Sequence, residues 1–367
     1  MGIKAGLVGL PNVGKSTLFN ALTKSTVPAK NYPFCTIDPH LAITKVPDKR
    51  LILLQKIYNS QEIIPATVSF VDIAGLVKGA ASGKGLGNQF LSNIYQVDLI
   101  LHVIRCFEDP NIIRDQELDP LDDYETILAE LMLKDLDSVI KKLEKGEKNR
   151  KNAQGAERKI LDQEFDLLHA VKNALNDGNA QQVRTLILQA PVQTIPLLCA
   201  KNFLIIANIA EDSIANESYK QSPHYQALIA KFGSEVVIPV SAKVAAELSQ
   251  LSDEDAAEMM SFLGMAEKSL DLIIRKTYEN LGLITFFTCG PKEIHAWPIK
   301  KGISIKQSAG EIHSDLERGF ICAEVSNYTD LIAAGSEQQL KTQGKVRIEG
   351  ATYTTQDGDI VHIRFNV

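Results

Sequence analysis

Gly9-Leu10-Pro11-Asn12-Val13-Gly14-Lys15-Ser16 fits the pattern G-x-x-x-x-G-K-[ST], which binds phosphate when a strand precedes it and a helix follows. The flanking sequence meets both conditions: residues 3–8 form a short apolar run and residues 17–25 have helical character. At such a turn the backbone N–H groups of Asn12, Val13, Gly14, Lys15, Ser16 and Thr17 can curl around phosphate oxygens at a helix N-terminus. Lys15 then sets a point charge at the β- and γ-oxygens, a catalytic as well as a binding role, and Ser16 offers its hydroxyl to Mg²⁺.

Downstream, Asp72-Ile73-Ala74-Gly75 follows the β-branched run 67–71. Its carboxylate is expected at the carboxyl end of a strand, where open α/β sheets bind ligands. Together with the phosphate loop, Asp72 is a candidate for a water-mediated contact to Mg²⁺, and the Gly75 N–H for a catalytic contact to the γ-phosphate. Thr36, at the end of Asn31-Tyr32-Pro33-Phe34-Cys35-Thr36, is expected to give the metal a second hydroxyl when that phosphate is present.

Apolar runs at 3–8, 68–71, 99–104, 203–207 and 236–240 alternate with helical stretches, which predicts an α/β fold with a mostly parallel sheet. Between 121 and 180 the strand signal stops. Leu136, Ile140 and Leu143, then Leu161, Phe165, Leu168 and Leu175, recur at a/d-type spacing, predicting an antiparallel helical hairpin. Its tip, residues 141–159, carries eight Lys/Arg against three Glu, whereas 108–130 carries nine acids against one Arg. From about 283 the pattern becomes mixed: strands near 283–288, 295–299, 321–325, 346–349 and 360–365, a helix near 309–318, and Asp357-Gly358 as a hairpin-turn pair.

The chain has 367 residues, 45% of them apolar and 23% charged, enough for two or three globular domains without staples. A net charge of −6 gives no global reason to bind nucleic acid or anionic lipid, so DNA and membrane are not expected partners and any RNA contact must be regional. Five scattered cysteines without a C-x-x-C pair argue for a reducing compartment. With no apolar run near 20 residues and no signal-peptide pattern, the chain is expected to be cytoplasmic.

Gly-Leu-Pro-Asn-Val-Gly-Lys-Ser-Thr-Leu-Phe-Asn from Gly9, the loop ending at Thr36, Asp-Ile-Ala-Gly-Leu-Val-Lys-Gly-Ala from Asp72, and Gly85-Leu86-Gly87-Asn88-Gln89-Phe90 together resemble the Obg-related P-loop proteins, and among them the YchF or Obg-like ATPase subfamily. The resemblance spans essentially the whole chain. It implies a P-loop NTPase domain of OBG type at 1–120 and 196–281, an inserted helical arm at 121–195, and a β-grasp module similar to a TGS domain at 282–367. It further implies a Mg²⁺-dependent ATPase associated with the ribosome, through its large subunit or the whole 70S particle, and with ribosomal RNA.

GTPases read guanine with an Asn-Lys-x-Asp segment whose carboxylate accepts from two base N–H donors. Here the strand 204–207 runs into Asn208-Ile209-Ala210-Glu211. Glu211 is one methylene too long, and adenine N1 offers a carboxylate nothing to bind. Asn208 and the backbone of Ile209 are therefore expected at adenine, with Glu211 holding the loop or pointing aside. Ser241-Ala242-Lys243 resembles the base loop of true GTPases and keeps GTP as the alternative substrate. A further alternative is an RNA-binding assembly factor with incidental turnover. Leu76 follows Gly75 where Ras-like enzymes keep a water-orienting Gln. Either His102 or a K⁺ ion held partly by Asn12 is a candidate substitute.

Overall fold

In a computed structural model, residues 3–24, 40–73, 93–109, 117–192 and 194–366 are described. Thr36, Gly75, Leu76 and the stretch 85–90 lie outside them. The elements, in chain order, are β1 (Lys4–Val8), α1 (Lys15–Lys24), β2 (Leu41–Lys45), α2 (Arg50–Tyr58), β3 (Glu62–Ile64), β4 (Thr67–Asp72), β5 (Leu99–Arg105), α3 (Pro120–Asn152), α4 (Gly155–Asn176), α5 (Ala180–Leu188), β6 (Asn202–Asn208), α6 (Pro223–Phe232), β7 (Val237–Val240), α7 (Ala242–Leu248), α8 (Asp253–Phe262) and α9 (Ser269–Asn280). They continue with β8 (Leu283–Cys289), β9 (Glu293–Lys300), α10 (Ile305–Ile312), α11 (Ser314–Arg318), β10 (Phe320–Asn327), α12 (Tyr328–Ala334), α13 (Glu337–Thr342), β11 (Arg347–Glu349) and β12 (Asp359–Phe365). Among the described residues no helix is long and apolar enough to cross a membrane.

The chain divides into two units. The described residues of the first are 3–24, 40–42, 70–73, 93–109, 117–192 and 194–269; those of the second are 43–69 and 270–366. The domain boundaries read from the sequence leave 43–69 in the first domain, whereas here these residues group with the C-terminal ones.

One sheet is ordered β2-β4-β1-β5-β6-β7, and β1, β5, β6 and β7 are mutually parallel neighbours. All seven residues of β5 are buried, as a central strand covered on both faces requires. Its neighbour β1 runs directly into the phosphate loop. Gly9 has no room for a side chain, since a Cβ there would lie 2.8 Å from the Val103 carbonyl oxygen.

The hairpin arm forms as the spacing predicts. Asp119 caps α3 by accepting from the Leu121 and Asp122 amides at 2.9 and 3.2 Å, with Pro120 at the first helical position. Lys142–Glu164 at 3.0 Å and Arg150–Asp162 at 2.7 Å fix the antiparallel register of α3 against α4. Gly146 lets the helices approach, because a Cβ would sit 2.9 Å from the Phe165 ring. At the base of the arm, the buried Asp135 carboxylate accepts from the Leu198 and Cys199 amides, each at 2.8 Å.

In the second unit the sheet order is β11-β10-β12-β8-β9-β3. Antiparallel β8–β9 and β10–β12 ladders join through a parallel β12–β8 contact, and α10 packs over Phe286, Ile299 and Val325. Two expectations need correction. Asp357-Gly358 makes no hairpin, because β11 and β12 both pair with β10 instead of with each other. Asp357 instead accepts from the Thr285 amide at 2.8 Å and from the Arg50 guanidinium at 2.7 Å. The single helix expected near 309–318 is two, since extended His313 ends α10 and its Nδ1 caps α11 by accepting from the Asp315 amide.

Asn208, the last residue of β6, ties the phosphate loop to the start of α7. Its side chain is buried; Nδ2 donates to the Val13 carbonyl at 2.9 Å and Oδ1 accepts from the Ala242 amide at 3.0 Å. Truncation would strand a carbonyl and an N–H in a buried place at about 1–3 kcal/mol each. Asn208→Ala is therefore expected to lower stability by about 2–4 kcal/mol, read as the shift of the urea midpoint. A change below about 0.5 kcal/mol would mean that solvent replaces both bonds.

Candidate functional site

The turn between β1 and α1 has the backbone its sequence requires. Asn12 is left-handed at φ 63° and Gly14 at φ 95°, a region glycine enters without strain and asparagine tolerates better than most residues. A Cβ on Gly14 would also collide with the Asn208 amide. The helix opens with Leu18 N–H donating to the Gly14 carbonyl at 3.0 Å. The preceding N–H groups lack intrahelical partners and present partial positive charge.

Lys15 is buried, and its ammonium donates to the carboxylate of Asp72 at the end of β4. Two residues 57 positions apart in sequence thus meet at the phosphate loop, as the sequence requires if both serve one ligand. Ser16 and Thr17 are exposed at the head of α1. The Ser16 hydroxyl and Asp72 carboxylate are hard oxygen donors of the kind Mg²⁺ takes. Among the described residues no group of three or more His, Cys, Asp or Glu could form a metal cage.

From the loop a cleft of about 1100 Å³ runs past Asn12, Gly14 and Thr17 to the turn after β6 and the start of α7. Asn208 forms part of its wall, with the amide committed to Val13 and Ala242 as described. Ile209 is buried, and its amide donates to the Val240 carbonyl at 3.0 Å. Glu211 pairs with Lys243 at 2.5 Å, and this bond, with the smaller attraction of the charges, raises the lysine pKa. The loop read from the sequence as guanine-like, Ser241-Ala242-Lys243, therefore supplies the partner that occupies Glu211. Ser241 caps α7 through a 3.5 Å contact from the Val244 amide.

Glu108, Asp109, Glu211 and Asp212 also line the cleft.

His102 does not line the cleft. It is buried in β5 between Tyr124 and Phe203, with ring centroids 5.0 and 5.8 Å away. Burial, with a smaller contribution from Arg184, pushes its pKa down to about 3, so the imidazole stays neutral near pH 7. These features make it a core residue and remove the geometric basis for a catalytic role. Arg105, beyond it, lies 5.7 Å over the Phe107 ring. The sequence reading missed Phe107, Phe262 and Leu263, which line the cleft; no motif spacing links them to it, and Phe262 and Leu263 reach it only through the packing of α8.

Residues 4–142 match the MMR_HSR1 family, described as 50S ribosome-binding GTPase, and residues 283–366 match the YchF-GTPase_C family (Protein of unknown function, DUF933). The "Ribosome-binding ATPase YchF" of Bacillus subtilis (strain 168) is 45% identical over 100% of both chains. The "Obg-like ATPase 1" of Oryza sativa subsp. japonica is 41% identical over 100% of this chain and 92% of that one. The solved structure of the Schizosaccharomyces pombe YchF GTPase superimposes with a TM-score of 0.84 at 35% identity, covering 99% of this chain and 98% of the other. Related from end to end at these identities, with the phosphate loop, arm and C-terminal sheet all present, the chain belongs to the YchF family.

Proposed function

We propose that the chain is a Mg²⁺-dependent ATPase that prefers ATP to GTP and acts as a switch on the ribosome. The observation that carries the base preference is the Glu211–Lys243 pair. A carboxylate that reads guanine must be free to accept from two base N–H groups. Glu211 is both longer than Asp and already neutralised by a lysine. The end-to-end relatives named ribosome-binding ATPase support the same reading.

In this reading the loop N–H groups and Lys15 bind the triphosphate. Asp72 holds the Lys15 charge when phosphate is not there to take it; binding exchanges that carboxylate for phosphate oxygens. Ser16 and Thr36 would then hold Mg²⁺, with Asp72 acting through water. The ion would neutralise charge on the β- and γ-phosphates. Gly75 would report the γ-phosphate through its N–H. With Leu76 unable to orient water and His102 sealed in the core, a K⁺ ion beside Asn12 is left as the candidate for that assistance.

The arm tip is the surface proposed for ribosomal RNA. Several of its cations are already paired within the arm: Lys141 with Asp137, Lys142 with Glu164, and Arg150 and Arg158 both with Asp162. Lys145 and Lys159 are exposed, and Lys151 makes only a 3.7 Å pair with Glu147. Among the described side chains of the tip, these three are the cations best able to exchange counterions for RNA phosphate. Lys300, Lys301 and Lys306 of the C-terminal domain are further candidates.

Titration with fluorescent analogues is expected to show ATP binding at least about tenfold more tightly than GTP, a difference of about 1.4 kcal/mol; tighter GTP binding would overturn the ATPase assignment. Replacing Lys145, Lys151 and Lys159 together by Ala is expected to weaken co-sedimentation with ribosomes and to flatten its dependence on log[salt] by up to about three counterions. Intrinsic hydrolysis should be unchanged. An unaltered salt slope would show that the tip is merely a solvated helix end.

A further inference from the structure

Helix α8 brings an aromatic ring to the cleft that the phosphate-loop chemistry does not explain. Ser252 caps this helix by accepting from the Asp255 amide at 3.1 Å. Its apolar side, with Ala256, Met259 and Met260, packs with Leu263 against Val244 and Leu248 of α7. Because α7 starts at Ala242, whose amide is held by Asn208, α8 is braced to the loop at the base end of the cleft. Leu263 points into this packing. Phe262, beside it, lines the cleft and is 85% exposed.

A phenylalanine left in water at the rim of a binding cleft forgoes the burial that usually holds such a ring. The cleft's other aromatic, Phe107, differs in that it is half-buried and lies under the Arg105 guanidinium. The Phe262 ring makes no such stacking contact among the described residues. Glu211 and Lys243 line the same cleft, as do Asn12, Gly14 and Thr17 of the phosphate loop. A ligand with its phosphates on the loop and its base at the start of α7 would bring its flat, uncharged end to the helix pair that carries Phe262.

We propose that Phe262 is the outer wall of the base subsite, stacking its ring on the purine of the bound nucleotide and covering it from solvent. This inference rests on the nucleotide-binding reading above and adds a contact that tolerates either base. Every purine has a π-face, so stacking raises affinity without selecting adenine over guanine. Selection is left to the Glu211–Lys243 pair, and Phe262 sets how tightly either base is held.

The test compares ATP, GTP and inorganic tripolyphosphate, which carries the charge but no base, on the full chain. Phe262→Ala is expected to weaken ATP and GTP alike by about tenfold, keeping their ratio and leaving the tripolyphosphate Kd unchanged. Phe262→Tyr should restore tight binding. Phe262→Trp should show a change in emission with ATP and none with tripolyphosphate. Equal losses for all three ligands would mean that the ring supports the cleft's shape instead of the base. An unchanged ATP affinity would leave the ring to a macromolecular partner. Either outcome overturns the inference while the nucleotide reading stands. Wild-type protein that binds tripolyphosphate but neither nucleotide would fail that reading itself, and the inference with it.

Discussion

The buried amide of Asn208 connects three stretches of chain that the sequence keeps far apart: the phosphate loop at Val13, the end of β6, and the start of α7 at Ala242. Each strand of the parallel sheet ends in a turn whose backbone groups must find partners. A side chain with one donor and one acceptor end satisfies two of them at once. The close fit of Asn208 against Gly14 adds a steric condition: the loop can curl only where no Cβ stands. The walls of the cleft thus depend on a contact that touches neither phosphate nor metal in its own right. Helix α8, braced on α7, inherits its position from the same bond.

Two ion pairs, one at the phosphate loop and one in the wall of the cleft, sit in different surroundings. Lys15 and Asp72 are largely shielded from water, so the carboxylate keeps a poorly hydrated ammonium neutralised. Lys243 and Glu211 are considerably more exposed, at 67% and 43% of their side chains, where an ion pair adds little stability. The second pair therefore holds the turn after β6 to the start of α7 while adding little to the fold.

The second unit illustrates how the same residues carry different meaning at different ranges. Asp357-Gly358 has the local chemistry of a hairpin turn, and Gly358 does adopt φ 83°. The strands it was expected to join are separated by β10, because ladder pairing depends on which apolar faces meet and not on the turn alone. Arg50, held by Asp48 and Asp357 with its guanidinium 4.9 Å over the Phe287 ring, ties α2 to this sheet. The three residues of β3 complete its edge in parallel with β9.

The sequence by itself determined the phosphate loop, the buried parallel strands and the two arm helices. Each is written in a local signal: glycine and lysine spacing, short β-branched runs, or an a/d repeat between an Asp-Pro start and a polar turn. Asp72 was legible because the strand before it ends at the position where such sheets bind ligands. Tertiary structure alone decided the rest. His102 looks like a catalytic candidate in sequence and becomes a neutral core group, because strand alternation and the packing of Tyr124 bury it. Asn208, read as a base contact, also bonds backbone partners 195 and 34 residues away, which no local signal announces. Strand β3 is too short to announce itself, and Phe262 reaches the cleft only because α8 packs on α7. Local patterns encode what one segment does with its own backbone; long-range contacts depend on which burial and hydrogen-bond demands meet after the chain has folded.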